Sequence, residues 1–261
     1  MAGATAGRWD HERYLTAVEA EARRCAEAVA LGGPAARVPS CPDWDLAELC
    51  RHLGSVHRWV TLTVRTRAQE RPGFDALPDP EMPADAAGQA EWLLRGALTV
   101  VGVLREAGPD LRVWGWAAEQ HTGWWARRMA HETLVHRIDA ELASGPVRPV
   151  DPSLAADGID ELLHNALAPA ARAFPRRDRL RGEGGTLHLH CTDVHGEWTL
   201  RRTPQGFAYE PGHGKGDAAL RGPAGELMTL LTKRLPGGRK DVELFGDEDL
   251  VALWLDGLTL D

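Results

Sequence analysis

A chain of 261 residues, 43% apolar and 26% charged, has the proportions of a soluble globular protein and can bury a substantial core, which excludes a disordered or fibrous chain. Its net charge of −8 argues against a nucleic-acid backbone as principal partner, and nowhere do about 18 apolar residues run together to span a membrane. The opening residues, MAGATAGRWDHERYL, show no apolar stretch and no small-residue cleavage pattern of a secretory leader, so a cytoplasmic protein, a monomer or homodimer, is expected.

In chain order, a first helix is expected over residues 11–31, where Leu15, Val18, Cys25 and Val29 keep near-helical spacing before a Gly-Gly-Pro stop. A second is expected from Asp45 to about Thr66: Pro42 disfavours an earlier start, and Asp45 followed by Glu48 reads as a capping box. The proline-rich RPGFDALPDPEMPAD must be a loop, feeding a third helix over residues 87–107. A fourth is expected over residues 124–144, ended by Gly145 and Pro146. Four long helices suggest a bundle over residues 1–150.

Residues 151–261 differ in composition. A helix over residues 152–173 precedes GTLHLHCTD, GEWTLRRT and GFAYEP, short alternating runs that read as strands of an antiparallel sheet. GPAGELMTLLTKRL and DEDLVALWLDGL return to helical spacing, so the second domain is expected to be small and α+β, as is the chain as a whole. Cys25, Cys41, Cys50 and Cys191 form no CxxC pair and are expected to be reduced packing residues. Tryptophans such as Trp114, Trp116, Trp124 and Trp125 read as packing groups.

The chemistry-bearing pattern lies in HETLVHR. His131 and His136 are five apart, rotated by about 140° around a helix, so the zincin pattern fails. Glu132 and His136, at i and i+4, do share a face, with Trp125, Met129, Asp139 and Ala143 as its other members. On the second helix His52 sits at the edge of the apolar stripe Leu46, Leu49, Leu53, Val56 and Val60, whereas His57 points elsewhere. His52, Glu132 and His136 would make a three-donor metal set with an open position; the competing reading is a surface pair with no metal. The alternating His188 and His190 read as the outer face of a half-buried strand.

Three ordered segments, VPSCPDWDLAELCRHLGSVHRW, WWARRMAHETLVHRIDAE and HCTDVHGEWTL with the AALRGPAGELMTLLTKRL and VELFGD that follow, carry a resemblance over nearly the whole chain. It resembles the mycothiol-dependent, maleylpyruvate-isomerase-like family of actinobacteria, with a DinB-like bundle and a sterol-carrier-like second domain. The resemblance implies a zinc ion held by His52, Glu132 and His136, mycothiol as thiol cofactor or co-substrate, and a small electrophilic substrate. It also implies a catalytic arginine in the second domain, carried over to Arg234, with Arg221 as the other possibility; Lys233 stands where the family usually has glycine. The implied reaction is either cis-trans isomerisation or S-transfer. The alternative is a non-catalytic metal- or thiol-binding sensor or an interaction module.

Overall fold

The structure is a computed structural model that describes residues 8–168, 174–234 and 241–259. The chain divides into two compact units, Trp9–Arg148 and a second built from Pro149 onward.

The first unit is a bundle of α1 (His11–Gly32), α2 (Leu46–Arg65), α3 (Ala86–Ala107) and α4 (Thr122–Ser144). Short polar caps set the starts: Asp10 accepts from Arg13 N, Asp45 and Glu48 form a reciprocal capping box, and Asp85 accepts from Gly88 N. α4 begins two residues earlier than its spacing suggests, because the His121 ring accepts from Trp124 N. α1 packs on α3 and α4, and α2 packs on α3 and α4. The core they enclose includes Leu15, Val18, Leu49, Leu53, Trp92, Leu93, Val100 and Ile138, all buried.

α4 is unusual in burying polar groups as well as apolar ones, among them Arg127, His131, Arg137, Asp139 and Glu141. Fully buried Arg137 donates from Nε to Glu21 Oε2 and from Nη1 to Glu141 Oε2, each at 2.7 Å. Such pairs hold α4 at one rotation about its axis, since any other would strand a buried charge.

The second unit opens with α5 (Pro152–Ala166), capped by Asp151. It ends earlier than the expected residue 173, because the Leu167 and Ala168 amides bond back to the His164 and Asn165 carbonyls and tighten into a turn. Residues 169–173 lie outside the described residues.

A five-stranded sheet follows: β1 (Thr186–Cys191), β2 (Glu197–Thr203), β3 (Gly206–Pro211), β4 (Ala218–Gly222) and β5 (Glu243–Gly246), in the order β3-β2-β1-β4-β5. The first three strands are the expected ones. The sheet is mixed rather than wholly antiparallel, because the chain leaves β3, crosses back and enters β4 parallel to β1. β4 and β5, at five and four residues, are too short to show an alternating pattern. α6 (Ala224–Leu231) and α7 (Glu248–Gly257) complete the unit; past α6 the chain breaks at Lys233, where φ is +57°. No helix among the described residues is long and apolar enough to cross a membrane.

Candidate metal centre

The packing of α2 on α4 brings His52, Glu132 and His136 together. His52 Nε2 lies 3.2 Å and His136 Nε2 3.3 Å from the same carboxylate oxygen, Glu132 Oε1, and one ligand atom from each residue falls within 4.8 Å of the others. Two imidazole nitrogens and a carboxylate oxygen are donors of the kind that bind a divalent transition ion.

His136 and Glu132 each have a second polar partner. His136 Nδ1 lies 2.9 Å from Asp139 Oδ2, which fixes the ring so that Nε2 faces the cluster. Asp139, fully buried, is bonded in turn by the Ser40 hydroxyl. Arg128 Nη2 donates to Glu132 Oε2 at 2.6 Å, leaving Oε1 for the two histidines. Trp44 lies against both imidazoles, with ring centroids 4.9 Å from His52 and 6.1 Å from His136. It sits there because Asp45, next in sequence, caps α2.

Burial alone would raise the Glu132 carboxyl, but Arg128 and hydrogen bonds from His136 and His52 hold it well below the usual carboxylate range. Burial pushes His136 down, yet Asp139 and Glu132 outweigh it and carry the imidazole up to about 9. The cluster is therefore an ionised carboxylate held between Arg128 and His136.

The neighbouring histidines take other work. His57 Nε2 meets Thr133 Oγ1 at 3.0 Å, His131 lies edge-on to Tyr14, and His121 caps α4. Trp59, Trp114, Trp124 and Trp125 pack against one another as a cluster in the same unit. Arg234 belongs to the second unit, where it is buried just past α6 and donates from Nη1 to the Thr232 carbonyl at 2.7 Å. Arg221, on β4, is exposed and pairs with Glu243 at 2.8 Å.

Trp44 and Arg128 are site residues that the sequence reading missed. Arg128 stands one turn before Glu132, a spacing that points to contact, whereas nothing in the local pattern signals Trp44.

Two family models match the chain in order: the mycothiol maleylpyruvate isomerase N-terminal domain over residues 15–141 and the corresponding C-terminal domain over residues 153–253. The chain belongs to the mycothiol-dependent maleylpyruvate isomerase family. The family's N-terminal match spans His52, Glu132, His136 and Asp139, and its C-terminal match spans the whole described sheet and Arg234. Among solved structures, the chain is similar to the crystal structure of the mycothiol-dependent maleylpyruvate isomerase, at a TM-score of 0.58 and 12% identity, covering 92% of this chain and 95% of that one. A histidine-to-alanine mutant of that isomerase matches at a TM-score of 0.57 and 12% identity, with the same coverage. At this identity the likeness establishes the fold. A comparison with curated proteins finds no match.

Proposed function

We propose that this protein is a zinc- and mycothiol-dependent enzyme that activates the thiol for addition to a small electrophile, by maleylpyruvate-type cis-trans isomerisation or by S-transfer. The supporting observation is the convergence of His52 Nε2, Glu132 Oε1 and His136 Nε2 in a chain of this family. His52, Glu132 and His136 would hold the zinc ion, which would supply the Lewis acidity that keeps a thiol deprotonated at neutral pH.

The protein's own groups set up that chemistry. Asp139 orients His136, Arg128 neutralises the outer oxygen of Glu132, and Trp44 supplies an apolar wall beside both imidazoles. The thiolate adds to the substrate double bond, and the negative charge that passes to the carbonyl oxygen is stabilised by a cationic arginine, a role we assign to Arg234. In isomerisation the new single bond rotates and the thiolate leaves, restoring the double bond as trans. In S-transfer the carbanion takes a proton and the thioether is kept.

Zinc K-edge absorption on protein loaded with one equivalent, with His190 replaced by Gln so that the sheet histidines do not compete for the ion, with and without mycothiol, tests the proposal. Gain of one sulfur at about 2.3 Å is expected. A shell unchanged by thiol overturns it. Assays then separate the reactions: loss of maleylpyruvate absorbance with thiol recovered marks the isomerase, thiol consumption marks the transferase, and saturable binding without turnover returns the sensor reading.

A further inference from the structure

β1 places Leu187, Leu189 and Cys191 in the core and turns His188 and His190 to the opposite face. That face is not simply solvated. Glu197, directly across from His190 in the β1–β2 ladder, reaches both histidines: Oε1 lies 3.1 Å from His190 Nδ1 and Oε2 lies 3.3 Å from His188 Nε2. One ligand atom from each of the three residues falls within 4.8 Å of the others.

The crossing from β3 to β4 adds a fourth group. The PGHGKG segment lies against the same face, where a side chain at Gly214 would strike Thr199 and one at Gly216 would strike the His188 backbone. This close path brings His213 Nδ1 to 2.9 Å from Glu197 Oε2, with its ring 5.5 Å from that of His188.

We propose that His188, His190, Glu197 and His213 form a second metal site, wholly within the C-terminal unit, for a late first-row divalent ion such as Zn2+. The observation pointing to a ligand is His188 itself. It is only 7% exposed, and its Nε2 makes no hydrogen bond among the described residues, being close to Glu197 Oε2 but not aligned with it. Native proteins rarely leave a buried imidazole nitrogen unmatched, and an ion between it and the carboxylate supplies the partner.

Three imidazoles and a carboxylate select transition ions over Mg2+ or Ca2+; His188, His190 and Glu197 bring three donors within 4.8 Å of one another, and the exposed His213, already on Glu197, would supply the fourth of a tetrahedral shell. This site is therefore structural: the ion staples the 212–216 crossing to the β1–β2 ladder.

Native mass spectrometry of the tag-free protein, with Zn2+ buffered by nitrilotriacetate so that scattered surface histidines stay empty, tests the proposal. Wild type is expected to hold two ions, His136→Ala one, His190→Gln one, and the double variant none. A single wild-type ion that His136→Ala removes and His190→Gln leaves in place overturns the second site. A single ion with the reverse pattern supports it and counts instead against the bundle site.

Should His190→Gln fail to fold, His213→Asn on the exposed crossing serves as the second variant. In the His136→Ala background it is expected to weaken the remaining ion by about tenfold or more, and unchanged affinity overturns the four-donor assignment. Cu2+ loaded into His136→Ala should show nitrogen hyperfine structure that diminishes in His213→Asn.

Discussion

His136 and Asp139, one turn apart on α4, are joined through Nδ1 and Oδ2 at 2.9 Å, and the carboxylate is fully buried. The pair turns a histidine free to rotate into one with a single orientation. A buried carboxylate behind a metal-facing imidazole also strengthens it as a donor, and loss of such a partner lowers metal affinity by about 10–100-fold. In a His190→Gln background, Asp139→Asn is therefore expected to bind zinc less tightly by about that factor in chelator competition, with an unchanged circular dichroism spectrum. Wild-type affinity would show that Asp139 serves only the bundle.

Glu132 takes contacts from Arg128, His52 and His136 on its two oxygens. Glu132→Gln keeps the shape and removes the charge. The ion held by the bundle is expected to be lost, read in a His190→Gln background as metal content at background, and activity with mycothiol is expected to be lost with it. A Gln variant that still copurifies with zinc in the His190→Gln background would remove Glu132 from the ligand set.

Gly54 on α2 lets α3 approach, since a methyl group there would strike the Trp92 ring. That ring has little room to yield: the Arg58 guanidinium lies 3.7 Å over it, and Trp92 Nε1 donates to the Asp79 carbonyl. Overpacking by about 1–3 kcal/mol outweighs the gain of about 1 kcal/mol that alanine brings over glycine in a helix. Gly54→Ala should lower the urea midpoint, and a midpoint at or above wild type would show that the α2–α3 contact is slack.

His57 is fully buried, and burial pushes its imidazole down to about 3; Glu132 opposes this, while Arg58, His136 and His52 add to it. In the unfolded chain the same group titrates near 6.5. Because the folded value is the lower one, its contribution to stability is complete above about pH 6.5 and is lost as pH falls toward about 3. The slope from this one group is at most about 1.4 kcal/mol per pH unit. Urea unfolding of metal-free protein across this window should be flatter by about one proton in His57→Gln, and equal slopes would contradict the assignment.

Burial pushes the Cys50 and Cys191 thiols up to about 12 and Cys25 well above its usual value. Only Cys41 is partly exposed. Brief alkylation of the native protein at neutral pH should therefore add one group, at Cys41, and alkylation in urea four, both read by intact mass. A native adduct on Cys25, Cys50 or Cys191 would show that the region around it opens readily.

The helices of the bundle were legible because each carries its own punctuation: Asp45 with Glu48, and Gly145 with Pro146, mark ends that depend on local chemistry alone. The Glu132–His136 pair was legible for the same reason, being a matter of helical spacing. What crosses between elements was not. Trp44 reaches the two imidazoles only through the turn before α2, and β4 joins β1 through a crossing that no local pattern encodes. His188 and His190 read as an outer sheet face, and they do oppose the core; that Glu197 and His213 enclose them depends on the ladder register and on a glycine-rich crossing.

The buried charges of α4 carry a consequence for how this sequence can change over time. Arg137 sits fully enclosed between Glu21 and Glu141, and stripping one member from such a group costs about 3–5 kcal/mol, a large share of a domain's whole stability. Single substitutions at these three positions are thus closed to drift, while a joint replacement by apolar residues of similar volume is open. In diverging lineages, positions 21, 137 and 141 are expected to be inherited as one block.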